Sequence, residues 1–284
     1  IAPMSLVTYE EARPWARSIK NRVETRQMPP WHIDKTVGIQ DFKNDRSLSD
    51  QQIATLVNWV DGGTPLGSAA DAPPTPKFPD PNRWQYADQF GAPDLVLRSK
   101  PYDMAARTQD KWFRPVTETG LKEARWVRAI EIKPVKPEHR KIVHHVLTLL
   151  EQQETDGITN LAHEAHGVQR SAGLFMEWAV GKQGEIMRAN SGKLMLPGSK
   201  IIFEVHYHAV GEEITDQVEL GIYLYPKGQE PKYRQVLASL SSIAGGARNI
   251  DIPPNGTFVS QNFHVMRQAG RVENFQPHMH LRGK

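Results

Sequence analysis

The chain has 284 residues, which at about 150 residues per domain is enough for two domains and a sizeable core. Hydrophobic residues make up 39% and charged residues 24% of it, a globular composition that excludes a disordered chain or a coiled coil. Thirty-five basic and 32 acidic residues leave a net charge of +3, and the basic residues are scattered, which argues against nucleic acid as a partner. No window reaches the roughly 18 apolar residues of a membrane span.

The sequence contains no cysteine, which excludes disulfides, thiolate zinc sites, iron–sulfur clusters and thiol catalysis. Any metal must therefore be held by His, Met or carboxylate side chains. The chain begins at Ile1, without an initiator Met or signal segment, and ends directly after a His-rich motif. We therefore expect it to be a fragment of a longer protein.

The N-terminal part is predicted to be a small α-helical domain over residues 1–66. Apolar residues at helical spacing predict a helix from Tyr9 to Arg26, which ends before two consecutive prolines. Ser49 and Gln52 form a capping-box pattern that predicts the start of a second helix, and Gly62-Gly63 predicts its end.

A Pro-rich linker is predicted over residues 67–92, and beyond it the hydrophobic period changes to two. Short strands at regular spacing favour a mainly β fold, an antiparallel β-sandwich. We expect a first sandwich domain over residues 93–233 and the beginning of a second over residues 234–284. The predicted strands are Asp94–Leu97, Lys111–Val116, Glu123–Ile132, Ile142–Leu150, Lys200–His208, Gln217–Tyr225 and Phe258–Met266.

Histidines form three tight clusters on the predicted strands. In a His-x-His pattern on a strand, both side chains point to the same face about 6.5 to 7 Å apart, so both imidazoles can reach one ion. Imidazole and thioether donors indicate zinc or copper, and a Met ligand favours copper. An isolated His pair is more often an ordinary core or surface feature, but three clusters together favour a metal protein. The clusters are His144-His145, His206 with His208, and His278 with His280.

The adjacent pair His144-His145 poses a geometric problem, because neighbours on a flat strand face opposite ways. Both can bind one ion only where a β-bulge or a strand end turns one of them. Periodicity alone therefore favours His206 with His208 as a ligand pair.

The order of these motifs resembles the copper type II ascorbate-dependent monooxygenases, the group of peptidylglycine alpha-hydroxylating and dopamine beta-monooxygenases. The resemblance covers Pro93 to Lys284 and implies two jelly-roll-like β-sandwich domains, each with one copper. The absence of cysteines indicates a bacterial form. The matching motifs are Val143-His144-His145-Val146, Leu196-Pro197-Gly198 leading into Phe203-Glu204-Val205-His206-Tyr207, and Pro277-His278-Met279-His280-Leu281-Arg282-Gly283-Lys284.

The resemblance also implies the ligands. The implied ligands of the electron-transferring copper are His144, His145 and His206, and those of the catalytic, oxygen-binding copper are His278 and His280. The family completes the second site with a downstream Met, which we expect beyond Lys284, so we expect this chain alone to be inactive. His208 has no ligand role in the family pattern. The strand spacing, which favours His208 as a ligand beside His206, therefore disagrees with the resemblance.

The implied reaction is hydroxylation of an unactivated C–H bond with dioxygen. The implied partners are a small-molecule or peptide substrate and an electron donor such as ascorbate or a cytochrome. The family also implies a periplasmic or extracellular location.

A second resemblance concerns the helical domain. Met28-Pro29-Pro30-Trp31, followed by the helix through Trp59-Val60-Asp61-Gly62-Gly63, resembles the distal part of a class I cytochrome c. This resemblance implies that Met28 is an axial haem ligand and that the full-length protein carries haem c. The expected position of Met28 is beside a concave apolar surface of Ile53 and Val57 with Trp31 or Trp59. The alternative is that Met28 packs a plain helical domain.

Two other functions remain open from the sequence. One is a non-catalytic copper or haem electron-transfer protein of the cell envelope. The other is a His-ligated zinc hydrolase, which is disfavoured because the sequence has no His-Glu-x-x-His pattern and because Glu164 and Glu204 lack a paired motif.

Overall fold

The computed structural model divides the chain into two compact units, Ile1–Phe78 and Pro79–Lys284. The division falls inside the segment 67–92 that the sequence predicts to be a linker. The structure describes residues 4–31, 45–72, 74, 77–78, 80–153, 172–179, 181–182, 184–237, 252–259 and 269–274.

The helices of the first unit follow the sequence prediction closely. The predicted capping box is confirmed, since the Ser49 hydroxyl accepts the Gln52 N–H and the Gln52 side chain accepts the Ser49 N–H. The first predicted helix is interrupted by a 3₁₀ turn, because Pro14 has no N–H to donate. The elements are α1 (Tyr9–Ala12), the 3₁₀ turn Arg13–Trp15, α2 (Ala16–Glu24), α3 (Asp50–Asp61) and a second 3₁₀ turn, Ala69–Asp71.

The second unit is mainly β. Its short helices are α4 (Ala87–Phe90) and the 3₁₀ turn Pro137–Lys141. Its strands are β1 (Leu95–Arg98), β2 (Tyr102–Met104), β3 (Lys111–Phe113), β4 (Val116–Glu118), β5 (Arg125–Pro134), β6 (Val143–Glu151), β7 (Ala172–Ala179), β8 (Gly184–Ile186), β9 (Ser191–Met195), β10 (Lys200–Tyr207), β11 (Ile214–Asp216), β12 (Val218–Leu224) and β13 (Tyr233–Arg234).

Five of the seven predicted strands are present, each within about two residues of its predicted ends. The strand predicted over Lys111–Val116 is split into β3 and β4, because Pro115 lies at the break and cannot donate to the ladder. The seventh was predicted over Phe258–Met266. Phe258 and Val259 are not in a strand, and the rest of that range lies outside the described residues.

The strands form two larger sheets and one strand pair. The first sheet has the order β1-β12-β5-β9-β13, with β8 also on β5; the second has the order β3-β10-β6-β7, with β4 also on β10; β11 pairs with β2. The pairings are antiparallel except that of β13 with β9. One hydrophobic core joins the two sheets and includes Val127 and Ile130 from the first with Val146, Phe203 and Val205 from the second. The prediction of a mainly β, antiparallel fold is confirmed, and the arrangement is consistent with a β-sandwich.

A buried carboxylate fastens the chain before β1 to the first sheet. Glu131 on β5 is 3% exposed and accepts three hydrogen bonds. They come from the backbone N–H groups of Gln85 and Tyr86, at 2.6 and 2.8 Å, and from the Tyr223 hydroxyl, at 2.7 Å. This part of segment 67–92 therefore belongs to the second unit.

A second buried polar network lies behind the end of β10. Asp216 is 1% exposed; its carboxylate accepts the Tyr207 hydroxyl at 3.1 Å and lies 2.7 Å from Nδ1 of His139. Burial raises the pKa of Asp216 against the opposing effect of its hydrogen bonds with His139 and Tyr207. Tyr207 also stacks on Tyr102, with ring centroids 5.0 Å apart and planes inclined by 7°. These contacts fix the direction of the Tyr207 side chain.

No helix among the described residues is long and apolar enough to cross a membrane.

Replacing Asp216 with Ala should lower the free energy of unfolding by at least about 2 kcal/mol, because the change leaves the Tyr207 hydroxyl and His139 without their buried partner. Urea unfolding followed by circular dichroism measures this. As a matched control, Asp103→Ala removes an exposed carboxylate bonded to Thr215 and should cost less than about 1 kcal/mol. Equal losses in the two variants would contradict the structural role of the network.

Candidate metal centre

A β-bulge lies where β6 and β10 pair in the second sheet. His145 stands directly opposite His206, but the next residue of β10, Tyr207, pairs with Val143. His144 is therefore an extra residue on β6 with no partner on β10. A bulge of this kind adds one residue to one strand and redirects the side chains around it.

The bulge points two adjacent histidines away from the core. Val143 and Val146 are 1% and 0% exposed and belong to the core, whereas His144 is exposed and His145 is partly exposed. A regular strand would turn one of two neighbouring side chains inward. The structure thus supplies the feature that the sequence analysis required for this pair.

The inward residues on either side account for the bulge. On β10, Phe203, Val205 and Tyr207 alternate into the core with no exposed surface, which leaves His206 on the outer face. Tyr207 is paired with Val143, which is also buried. Keeping both of these residues inward while His145 stays opposite His206 requires one extra residue on β6.

The three imidazoles converge through the same type of atom. Nδ1 of His144 lies 3.0 Å from Nδ1 of His206 and 3.2 Å from Nδ1 of His145. One nitrogen from each ring can be chosen so that all three lie within 4.8 Å of one another. Two imidazole ligands of a tetrahedral ion, each about 2.0 to 2.1 Å from it, are about 3.3 Å apart, so this spacing suits a shared ion.

The cluster favours the neutral form of His145. Burial lowers the pKa of His145, and so does the proximity of His206 and His144. Nδ1 of His144 takes part in both short contacts, so a single proton cannot lie along both of them with good geometry. A cation, by contrast, accepts a lone pair from each of the three rings.

An aromatic side chain covers one side of the cluster. Trp112 on β3 is directly opposite His206, so His145, His206 and Trp112 form a row across β6, β10 and β3. The Trp112 and His206 rings stack with centroids 4.2 Å apart and planes inclined by 5°, and Trp112 meets His145 edge-on at 5.1 Å. Trp112 is 47% exposed, and the Arg114 guanidinium lies over its ring, 5.9 Å from the centroid.

Asp110 and His208 lie beside His206. Nε2 of His206 lies 2.9 Å from one carboxylate oxygen of Asp110, and Nδ1 of His208 lies 2.7 Å from the other. The hydrogen bond with His208, with added attraction from both histidines, holds the pKa of Asp110 below its usual value. His208 is thus paired with Asp110 and is not a member of the converging group, contrary to the pairing of His206 with His208 that periodicity favours.

The remaining predicted site residues are differently placed. His278 and His280 lie outside the described residues. Met28 follows α2 and is 45% exposed, so it is not enclosed in a finished helical core. Ile53 and Val57 on α3 are only partly buried. The apolar surface expected beside Met28 stays a prediction.

Comparison with known proteins adds no assignment: no protein-family model matches the sequence, and no curated protein matches it. The resemblances described above therefore depend on the motifs themselves.

Replacing His206 with Ala should remove one bound copper per chain and weaken copper binding at this site by more than about 100-fold. Loss of a group that hydrogen-bonds to a metal ligand lowers metal affinity about 10- to 100-fold, so loss of a ligand itself should lower it further. Competition titration with a chromophoric copper chelator measures the change. His208→Ala, which removes a neighbouring imidazole outside the group, should weaken copper binding much less than His206→Ala does. Loss of copper from His208→Ala but not from His206→Ala would refute the ligand set.

Copper binding should quench the fluorescence of Trp112, because its ring stacks on His206. The protein has seven tryptophans, so the contribution of Trp112 is isolated with Trp112→Phe, which keeps an aromatic ring against His206. This variant should bind copper but show less quenching, whereas Trp126→Phe, on β5 of the other sheet, should keep the copper-dependent decrease. Equal quenching in both variants would show that the ion binds elsewhere.

Proposed function

We propose that this protein is part of a copper-dependent monooxygenase that hydroxylates a C–H bond with dioxygen. His144, His145 and His206 would hold the electron-transferring copper. The observation that carries the proposal is the convergence of three Nδ1 atoms from two strands on the outer face of one sheet. It coincides with the motif order that resembles the ascorbate-dependent monooxygenases.

The donor set fits copper. Three imidazole ligands suit copper or zinc, and the chain offers no thiolate to compete for the ion. When bound, copper supplies the one-electron chemistry that zinc lacks. The protein groups orient the ligand rings and leave one side of the cluster open to solvent at His144.

The surroundings of the cluster give less support to a zinc hydrolase. Such an enzyme needs a carboxylate or another base that can reach a metal-bound water. Asp110 contacts Nε2 of His206, the nitrogen that faces away from the converging Nδ1 atoms. Glu204, which lies on the same face of β10 as His206, forms an ion pair with Arg114. Neither of these two carboxylates is placed to act as that base, and Glu177 is a third carboxylate, which acts electrostatically on His145.

The exposed rim of the cluster suits electron delivery from outside. His144 and Trp112 are both open to solvent, so a small reductant such as ascorbate or the edge of a cytochrome could approach within electron-transfer distance. Dioxygen and a small-molecule or peptide substrate would bind at a second copper held by His278 and His280. The proposal includes jelly-roll-like domains for both coppers and a periplasmic or extracellular location.

For the helical unit we propose a cytochrome c-like origin with Met28 as axial haem ligand in the full-length protein. The exposure of Met28 supports this, because a haem ligand must present its sulfur to an open surface. The unit would then deliver electrons to the copper domains.

The alternative function is a non-catalytic copper or haem electron-transfer protein. The exposure of the His144–Trp112 rim favours it equally, since that rim serves electron exchange whether or not oxygen is activated.

Oxygen incorporation tests the proposal. The copper-loaded, full-length protein is supplied with ascorbate and ¹⁸O₂, with a glycine-extended peptide or a phenethylamine as the probe substrate. The expected result is one ¹⁸O atom per hydroxylated product, detected by mass spectrometry. Product should require copper and should disappear in His206→Ala, since that variant lacks the ligand set for electron transfer.

Two control observations separate the functions. Rapid loss of the Cu(II) electron paramagnetic resonance signal on addition of ascorbate, with no ¹⁸O in either probe, would favour the electron-transfer protein. Preferential binding of zinc over Cu(I) by a wide margin would contradict both copper functions.

A further inference from the structure

Asp110 makes a contact that the proposed function does not use. It lies in the segment just before β3 and reaches two histidines at the end of β10, one through each carboxylate oxygen. The contact at Nε2 of His206 is partly buried, since the His206 side chain is 11% exposed and the Asp110 side chain is 46% exposed.

The contact dictates which nitrogen of His206 carries the proton. An ionised carboxylate only accepts hydrogen bonds, so Nε2 of His206 must donate to it. A neutral imidazole has one N–H, which leaves Nδ1 with a free lone pair. That lone pair faces Nδ1 of His144, at the centre of the cluster.

We propose that Asp110 is a positioning residue that fixes the Nε2–H tautomer of His206 and holds its Nδ1 lone pair toward the ion. The inference rests on the proposed function for the identity of the ion, but the tautomer itself is a property of the protein alone. Carboxylates placed behind ligating imidazoles act in this way, and losing one typically costs about 10- to 100-fold in metal affinity.

His208 holds the carboxylate in place. Its Nδ1 donates to the second oxygen of Asp110 at 2.7 Å, and its backbone N–H donates to the carbonyl of Ile142 at 2.8 Å. A carboxylate offers each ring its own acceptor oxygen, whereas an amide in its place has one acceptor oxygen and one NH2 donor. This gives His208 a role that neither periodicity nor family resemblance assigns to it.

Trp112 restrains the same ring from a different direction. Its indole lies flat against the imidazole of His206, which limits tilting of the ring, while Asp110 fixes rotation in the ring plane through Nε2. Stacking alone does not distinguish the two nitrogens, so the choice of tautomer is left to Asp110.

The tautomer is tested first in the metal-free, full-length protein. Long-range ¹H–¹⁵N correlation spectra of ¹⁵N-histidine-labelled protein distinguish a protonated from an unprotonated ring nitrogen. The signals of His206 are assigned by their loss in His206→Gln. At a pH where the histidines are neutral, His206 should be the Nε2–H form, and in Asp110→Ala it should become a mixture of both forms.

Copper affinity supplies the second measurement. Asp110→Ala should bind copper about 10- to 100-fold more weakly than the unaltered protein. Asp110→Asn, which retains one acceptor oxygen, should have a copper affinity between that of Asp110→Ala and that of the unaltered protein. Asp103→Ala, a matched carboxylate on β2 that bonds to Thr215, should leave both the tautomer and the affinity unchanged.

The two measurements separate failure of this inference from failure of the proposed function. A protein that binds copper tightly but has His206 as Nδ1–H, or keeps its tautomer and affinity in Asp110→Ala, would overturn the role of Asp110. A fixed Nε2–H tautomer that is lost in Asp110→Ala, in a protein with no preference for copper, would support Asp110 and refute the copper function. Should Asp110→Ala fail to fold, the same comparison is made with Asp110→Asn.

Discussion

The requirement that Val143 and Tyr207 both point into the core governs the arrangement of the candidate site. These residues are paired across β6 and β10, yet His145 is also paired with His206, so one residue of β6 has no place in a regular ladder. The strand absorbs it as a bulge at His144. Apolar packing on the inner face of the sheet thereby brings the donor nitrogens together on the outer face.

The inner contacts are strong enough to impose that arrangement. Tyr207 contacts Asp216 and Tyr102, and Val205 and Phe203, two and four positions earlier along β10, are fully buried. Turning this strand over would expose its aromatic and β-branched side chains and bury a ligand imidazole. The hydrophobic cost of that change is much larger than the cost of one unpaired residue in the ladder.

Much of the fold could be predicted from the sequence because its signals are local. The capping box at Ser49 needs only four residues, and β10 buries every second residue from Ile201 to Val205. The strands β2, β8, β11 and β13 could not be predicted, because they have two or three residues and are too short to show any period. Two longer strands were also not predicted, β7 and β9, because their sequences, Ala-Gly-Leu-Phe-Met-Glu-Trp-Ala and Ser-Gly-Lys-Leu-Met, do not alternate.

The site was only partly predictable for the same reason. The histidine motifs are visible in the sequence, and so is the need for a bulge, but its position depends on how two strands pair across more than 60 residues. Asp110 carries no local signal: it precedes a short strand and lies 96 positions from its partner His206. Hydrogen bonds between such distant residues follow from tertiary structure alone.

The location of the histidine cluster on the solvent side of the sheet has a consequence for the order of assembly. In small zinc domains the ion replaces a hydrophobic core, so the chain folds only as the metal binds. Here the core between the sheets is closed by aliphatic and aromatic side chains and contains none of the three ligands. The polypeptide can therefore fold first and bind its ion afterwards. Changes of ligand during evolution could then alter metal preference without destabilising the fold.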